Sequence, residues 1–330
     1  MAGPAQCPGA ERTAADSGGS PGPPCASTLR SAATVKRYGR LLVSLALLGV
    51  VAMTIKPAEV VTVLQRLPAW SLVAALALSI PQVVLSALRW RYTAYRLDLP
   101  LGAGESVAAY YRATLVNQIM PGGVVGDVER AWRARHPEAR TSAAAHSVMI
   151  ERLSGQLALV LTITALLVIA PPFALPGPQL SGQWLWGAAL VLLLAIAAGR
   201  LPRVRDYSAL LRADVHTALF RWPAPVIQLA LSLAVVATYF ATLALLDASI
   251  ATQPLTLEKL ALHACLLLSM VLPVSIAGWG VREGVAAALW PLAGLPANEG
   301  VALSIAYGVV ILLGGLPGLI PVPGGKPRSA

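Results

Sequence analysis

Residues 41–55 (LLVSLALLGVVAMTI), 155–172 (GQLALVLTITALLVIAPP) and 185–199 (LWGAALVLLLAIAAG) are apolar runs with almost no charge. No other feature constrains the fold as strongly. About 20 such residues span a bilayer as a helix, and a helix satisfies its own backbone polar groups there. A transmembrane barrel needs strands of about ten residues that alternate in polarity, and continuous apolar runs exclude it. The rest of the chain agrees: 56% of residues are hydrophobic, 12% are charged and the mean hydropathy is +0.68. Soluble domains carry about 25% charged residues. The expected class is an all-α polytopic membrane protein.

The net charge of +10 assigns topology rather than nucleic-acid binding. Apolar segments fall near 38–55, 68–88, 104–121, 144–171, 183–199, 224–246, 258–277, 281–294 and 298–320. Five basic regions separate them: the N-terminal tail to Arg40, 89–96, 130–140, 200–221 and the C-terminal tail. Basic loops stay in the cytoplasm, so all five are expected on that side, with both termini. The loops holding Lys56 and Arg66, residues 172–182, and Lys259 fall on the other side.

Residues 89–96 and 130–140 share a side, yet the stretch between them is too short for two spans at about 1.5 Å per helical residue. It also breaks at Pro121-Gly122-Gly123. A re-entrant hairpin results. The same reasoning makes 258–294 a second hairpin from the opposite face, broken at Gly278-Trp279-Gly280. The fold expected is about six full transmembrane helices plus two opposed re-entrant hairpins, a design that transporters use. Residues 1–36, rich in Gly, Pro, Ala and Ser, read as a disordered cytoplasmic tail, 37–322 as the membrane domain and 323–330 as a short cytoplasmic tail.

After the loop charges are set aside, Arg112, Arg152 and Arg282 remain inside or close to membrane segments. Charges there are costly and face a cavity or a partner. Acidic candidates stand near: Asp127, Glu151 and Glu283. Two readings are open. The charges could form internal ion pairs that fix helix packing, or the guanidinium groups could contact an anionic headgroup, for which their planar fork is suited. Adjacent helical residues point about 100° apart, so Arg282 and Glu283 are expected to face different partners rather than each other.

Other chemistry finds little support. Cys7, Cys25 and Cys265 have neither metal spacing nor a disulfide framework. His146 reads as structural or solvated rather than as a metal ligand or proton relay. There is no metal-spaced His/Asp/Glu set, no Gly-x-Ser-x-Gly elbow and no P-loop. No cofactor and no enzymatic activity are expected. Trp70, Trp90, Trp184, Trp186 and Trp222 fit an interfacial belt. Residues 200–221 fit either an amphipathic helix on anionic lipid or a plain loop.

Four motifs occur in order: LRWRYTAYRLDL (88–99), NQIMPGGVVGDVERA (117–131), SVMIERLSG (147–155) and SIAGWGVREG (275–284). Together they resemble the transmembrane flippase region of lysylphosphatidylglycerol synthases, over roughly 38–320. Position by position, the resemblance implies a functional set of Asn117, Pro121, Gly122, Gly123, Gly126, Asp127, Arg130, Glu151, Arg152, Gly280, Arg282, Glu283 and Gly284. Ala277 departs from a common glycine, and Gly308 stands where relatives often carry arginine. Nothing in these 330 residues matches the soluble aminoacyl-transferase domain.

The resemblance therefore implies a stand-alone lipid translocator of the inner (plasma) membrane. It would move an anionic phospholipid or polyprenyl-type lipid, with lipids as its partners. The alternative is a non-catalytic subunit or scaffold for a separately encoded lipid-modifying or glycosyl-transferring enzyme.

Overall fold

The computed structural model describes residues 55–120, 123–170, 202–270 and 278–320, together with Gly49 and Met53. Among these residues every regular element is helical. Nearly all of segment 38–55, segment 183–199, both tails, and Pro121, Gly122 and Ala277 lie outside them.

Four helices are long and apolar enough to cross a membrane. They are α2 (Ala69–Arg96), α5 (Thr141–Ile169), α7 (Ala224–Ile250) and α10 (Ala297–Gly314), the last extended by a 3-10 turn at Leu316–Leu319. The chain is a multi-pass membrane protein by this measure and by composition. A short helix, α1 (Pro57–Leu64), occupies a stretch expected to be loop and packs on α10. α6 (Pro202–Val215) and a π turn at His216–Phe220 make residues 202–220 helical.

The broken segments form two pairs of short helices. α3 (Ala103–Ile119) and α4 (Val125–Arg133) flank the Pro-Gly-Gly break, while α8 (Leu257–Ser269) and α9 (Val281–Leu292) flank the Gly-Trp-Gly break. At about 1.5 Å per residue even α3 falls short of a hydrocarbon core of about 30 Å. Glycine makes both breaks possible. Gly123, Gly278 and Gly280 have φ of 62°, 83° and 88°, which other residues rarely adopt. At Gly126 a Cβ would lie 2.6 Å from the Ala113 Cα, so its absence lets the α4 backbone rest on α3.

α7 organises the bundle, packing along α2 and also against α5, α8 and α10. Gln228 near its start donates to Thr93 Oγ1 of α2 at 2.9 Å, and Asp247 near its end accepts from Lys259 of α8 at 3.0 Å. The chain thus enters the α3–α4 pair from one end of α7 and the α8–α9 pair from the other. The largest apolar core surrounds the second end, with Leu243, Leu246, Leu262, Leu266, Trp290 and Leu303 fully buried.

α2 runs further than the sequence suggests. Residues 89–96, expected as a basic loop, continue the helix, and Arg89 is buried. Arg89 is thus not a solvated charge of a cytoplasmic loop. Its partner lies on α5.

Candidate functional site

The first polar centre is built around Glu151 of α5, which is fully buried. Its Oε1 accepts from Arg89 Nη2 at 2.5 Å and from the Tyr110 hydroxyl at 3.2 Å. Its Oε2 accepts from Arg130 Nη2 at 2.9 Å. Arg130 also bonds Asp127 Oδ1 at 3.0 Å and lies between the rings of Trp90 (4.6 Å) and Tyr110 (4.5 Å). Such cation–π contacts are worth about 0.5–2 kcal/mol each. Arg152 Nη2 meets Asp127 Oδ2 at 2.5 Å. Asn117 joins α3 to α4: its Oδ1 accepts from the Gly126 N–H at 2.8 Å and its Nδ2 donates to Asp127 at 3.4 Å.

Local sequence explains how these groups meet. Tyr110, Ala113 and Asn117 recur at helical spacing on one face of α3, the face that receives α4. On α5, Gly155 stands one turn beyond Glu151. A Cβ there would lie 2.6–2.9 Å from the Arg89 guanidinium, so the glycine leaves room for it. Ser232 of α7 accepts from Arg89 Nη1 at 3.3 Å.

The charge balance is uneven. Three guanidinium groups (Arg89, Arg130, Arg152) face two carboxylates (Asp127, Glu151), which leaves one positive charge. Arg89 Nε, Arg130 Nε and Nη1, and Arg152 Nε have no acceptor among the described residues. Arg152 is the open member, with 42% of its side chain exposed, whereas Arg130 shows 1%. Arg112 stands apart from the network. It is half-buried, and neither its Nε nor its charge has a partner among the described residues.

The second centre lies on α9 and α10. Arg282 and Glu283 are fully buried and bond to each other at 3.0 Å. The expectation that they face different partners is therefore corrected. Ser304 of α10 draws both side chains to one point, accepting from Arg282 Nε at 2.7 Å and donating to Glu283 Oε1 at 2.7 Å. A 100° offset at the helix surface does not keep two long side chains apart when a third group attracts both. Glu283 Oε2 also accepts from the Gly280 N–H at 2.6 Å, capping α9. Arg282 lies near the rings of Trp279 and Tyr307, in space that Gly308 leaves free of a Cβ. The departure at Gly308 thus accommodates the arginine of the other motif.

Two further polar clusters join side chains from different helices. Lys259, counted as a loop charge, is buried and bonds Asp247 at 3.0 Å and the Gln253 carbonyl at 2.9 Å. His146 has no exposed surface. Its Nδ1 meets Asp214 Oδ2 at 2.6 Å and its Nε2 meets the Tyr207 hydroxyl at 3.1 Å, while Arg140 also pairs with Asp214. The structural reading of His146 describes this position. Trp90 is buried and donates to Ser147, so it does not sit in an interfacial belt.

The structure thus brings Asn117, Asp127, Arg130, Glu151 and Arg152 together, adds Arg89 and Tyr110, and places Arg282 and Glu283 in a separate centre. Gly123 lies in the break beside this first group, and Gly122 is outside the described residues. Among the described residues no group of His, Cys, Asp and Glu is arranged to hold a metal ion.

Comparison with known proteins comes to the same chain region. A family model described as "Lysylphosphatidylglycerol synthase TM region" matches residues 38–318. A search of curated proteins finds no match.

Proposed function

Because the chain belongs to the family of lysylphosphatidylglycerol synthase transmembrane regions, a membrane domain of lipid-related proteins, we propose that it is a lipid translocator of the plasma membrane. In this reading it moves an anionic phospholipid or polyprenyl-type lipid between leaflets and performs no covalent chemistry. One observation carries the reading: the buried centre on α2, α4 and α5 holds one more positive charge than negative, several guanidinium N–H groups without acceptors, and one accessible arginine, Arg152. A phosphate would supply the missing charge and acceptors in bidentate geometry. Two carboxylates need only two arginines as structural partners, and the third positive charge, on the accessible Arg152, is placed to meet an anion.

The architecture supports the same reading. Two pairs of short helices, entered from opposite ends of α7, fit opposed re-entrant hairpins within a six-span domain, with both termini cytoplasmic. Irregular backbone at membrane depth is tolerated where it lines a polar cavity. Arg152 and the unpaired Arg112 are the proposed headgroup contacts. Arg282 and Glu283, saturated by each other and by Ser304, would act by holding the second hairpin or by opening during the cycle.

The test is reconstitution into phosphatidylcholine vesicles with acyl-labelled phosphatidylglycerol or a polyprenyl phosphate, with leaflet exchange followed over time. Accelerated exchange of either anionic probe is expected. Vesicles that exchange neither faster than protein-free controls would count against transport. Co-purification of an intact glycosyltransferase in its place would favour the scaffold alternative.

A further inference from the structure

His263 of α8 is fully buried, and neither of its ring nitrogens has a hydrogen-bond partner among the described residues. Burying an imidazole unpaired is unfavourable, because it gives up water and gains no bond in return. What the ring faces is a carboxylate. Its Nε2 lies 3.7 Å from Asp247 Oδ1 on α7, beyond hydrogen-bond distance but within reach of an ion pair. The other oxygen of Asp247 accepts from Lys259 at 3.0 Å. Lys259 and His263 are four residues apart on α8, so one helix face turns both toward Asp247.

Few other charges surround this group. α5 meets α8 through Leu159 and Ile163 and carries no ionisable side chain from Gly155 to Ile169. On α7 the other ionisable residue is Tyr239, two turns before Asp247. α9 brings Trp290, whose ring stacks on His263 at 6.3 Å, while its charges, Arg282 and Glu283, bond each other two turns away. On α8 itself Glu258 is exposed. α10 brings the buried Glu299, whose Oε1 accepts from the Thr252 N–H at 3.2 Å and whose Oε2 has no partner among the described residues. Lys259 holds the next residue of the same loop, through the Gln253 carbonyl. With a neutral ring, two buried carboxylates therefore share one ammonium. Residues 252–257 are exposed, so the group lies just beneath the surface at this end of the bundle.

We propose that His263, with Asp247 and Lys259, is a proton-binding site that couples lipid movement to a proton gradient. The assignment rests on the transport reading. A proton from the solution beside the 252–257 loop joins the imidazole, and no covalent bond of the protein breaks. Both ring nitrogens of the imidazolium are donors, so Nε2–H closes on Asp247 Oδ1, and the added charge balances the second carboxylate. Trp290 passes the change on. Gly300 of α10 packs on its ring, where a Cβ would come within 2.4 Å, and Glu283 lies seven residues before it on α9. The helix that feels the charge of His263 thus also carries the second arginine centre. Ionisable groups inside membrane helices mark proton pathways in transporters, and histidine changes charge in the pH range of such gradients.

The test uses vesicles with labelled phosphatidylglycerol, a pH gradient and the membrane potential clamped by potassium and valinomycin. One proton per lipid allows up to about a tenfold leaflet imbalance of label per pH unit, since one unit is worth a factor of ten. Wild type should build such an imbalance, and His263→Gln should lose it with an unchanged melting temperature. Asp247→Asn, which keeps an oxygen for Lys259, should lose it too, and it replaces the first variant if that one does not fold. An imbalance in His263→Gln equal to wild type would overturn the assignment. Wild-type exchange that ignores the gradient removes this inference alone. A wild type that exchanges no anionic probe removes the transport reading with it.

A second measurement needs no variant. Pyranine trapped in wild-type vesicles, acidified on the outside, should report proton entry that rises when phosphatidylglycerol is present in the bilayer. Proton entry equal to that of protein-free vesicles would overturn the proposal.

Discussion

Arg282 and Glu283, adjacent in the chain, close a hydrogen-bonded ring through Ser304, with edges of 2.7, 2.7 and 3.0 Å. All three side chains are fully buried or nearly so. Removing either charged member leaves the other uncompensated. Glu283→Gln should therefore cost about 3–5 kcal/mol of stability, and Arg282→Gln a similar amount. The double variant Arg282→Gln/Glu283→Gln should cost clearly less than the sum. Thermal unfolding in detergent measures all three, and additive losses would show that the ring is not a coupled unit.

The open and closed arginines of the first centre should separate function from folding. Arg152 is 42% exposed at its side chain, and Asp127 keeps Arg130 when it is gone. Arg152→Gln should cost about 1 kcal/mol or less in stability and lower lipid exchange at least about tenfold. Glu151→Gln leaves Arg89 and Arg130 facing a neutral amide and should destabilise by about 3–5 kcal/mol. Melting curves run beside the exchange assay distinguish the two patterns.

Two glycines test the hairpin contact. Gly126→Ala puts a methyl group into the Ala113 backbone, which cannot move aside as a side chain could. The expected cost is about 1–3 kcal/mol or more, with α4 displaced. Gly104 lies in the first turn of α3, and a methyl there meets nothing within 4 Å. Gly104→Ala should be neutral or stabilise by up to about 1 kcal/mol. Equal melting temperatures for the two variants would contradict the close approach.

Asp214 joins α6 to α5 by accepting from both His146 and Arg140. In Asp214→Ala the His146 ring loses its Nδ1 partner inside a buried site. α6 should then detach locally, seen as faster protease cleavage or hydrogen exchange across residues 207–215, with the spans unaffected. Protection equal to wild type would show that other contacts hold α6.

Much of this protein was legible in its sequence. Apolar run length is a local property, and so are glycine and proline breaks. The four long helices and the two broken pairs follow from them, as does the presence of costly charge at Arg152, Glu151, Arg282 and Glu283. Partner choice was not legible, because it is decided between residues far apart in the chain. Arg89 looks like a loop charge until Glu151, 62 positions away, meets it across α2 and α5. Lys259 looks solvated until α7 and α8 bring Asp247 to it. Arg282 and Glu283 look divergent until Ser304 draws them together. Hydropathy places a helix in the membrane with no knowledge of its neighbours. A buried ion pair has no meaning until two helices pack, and that packing is set by the tertiary structure.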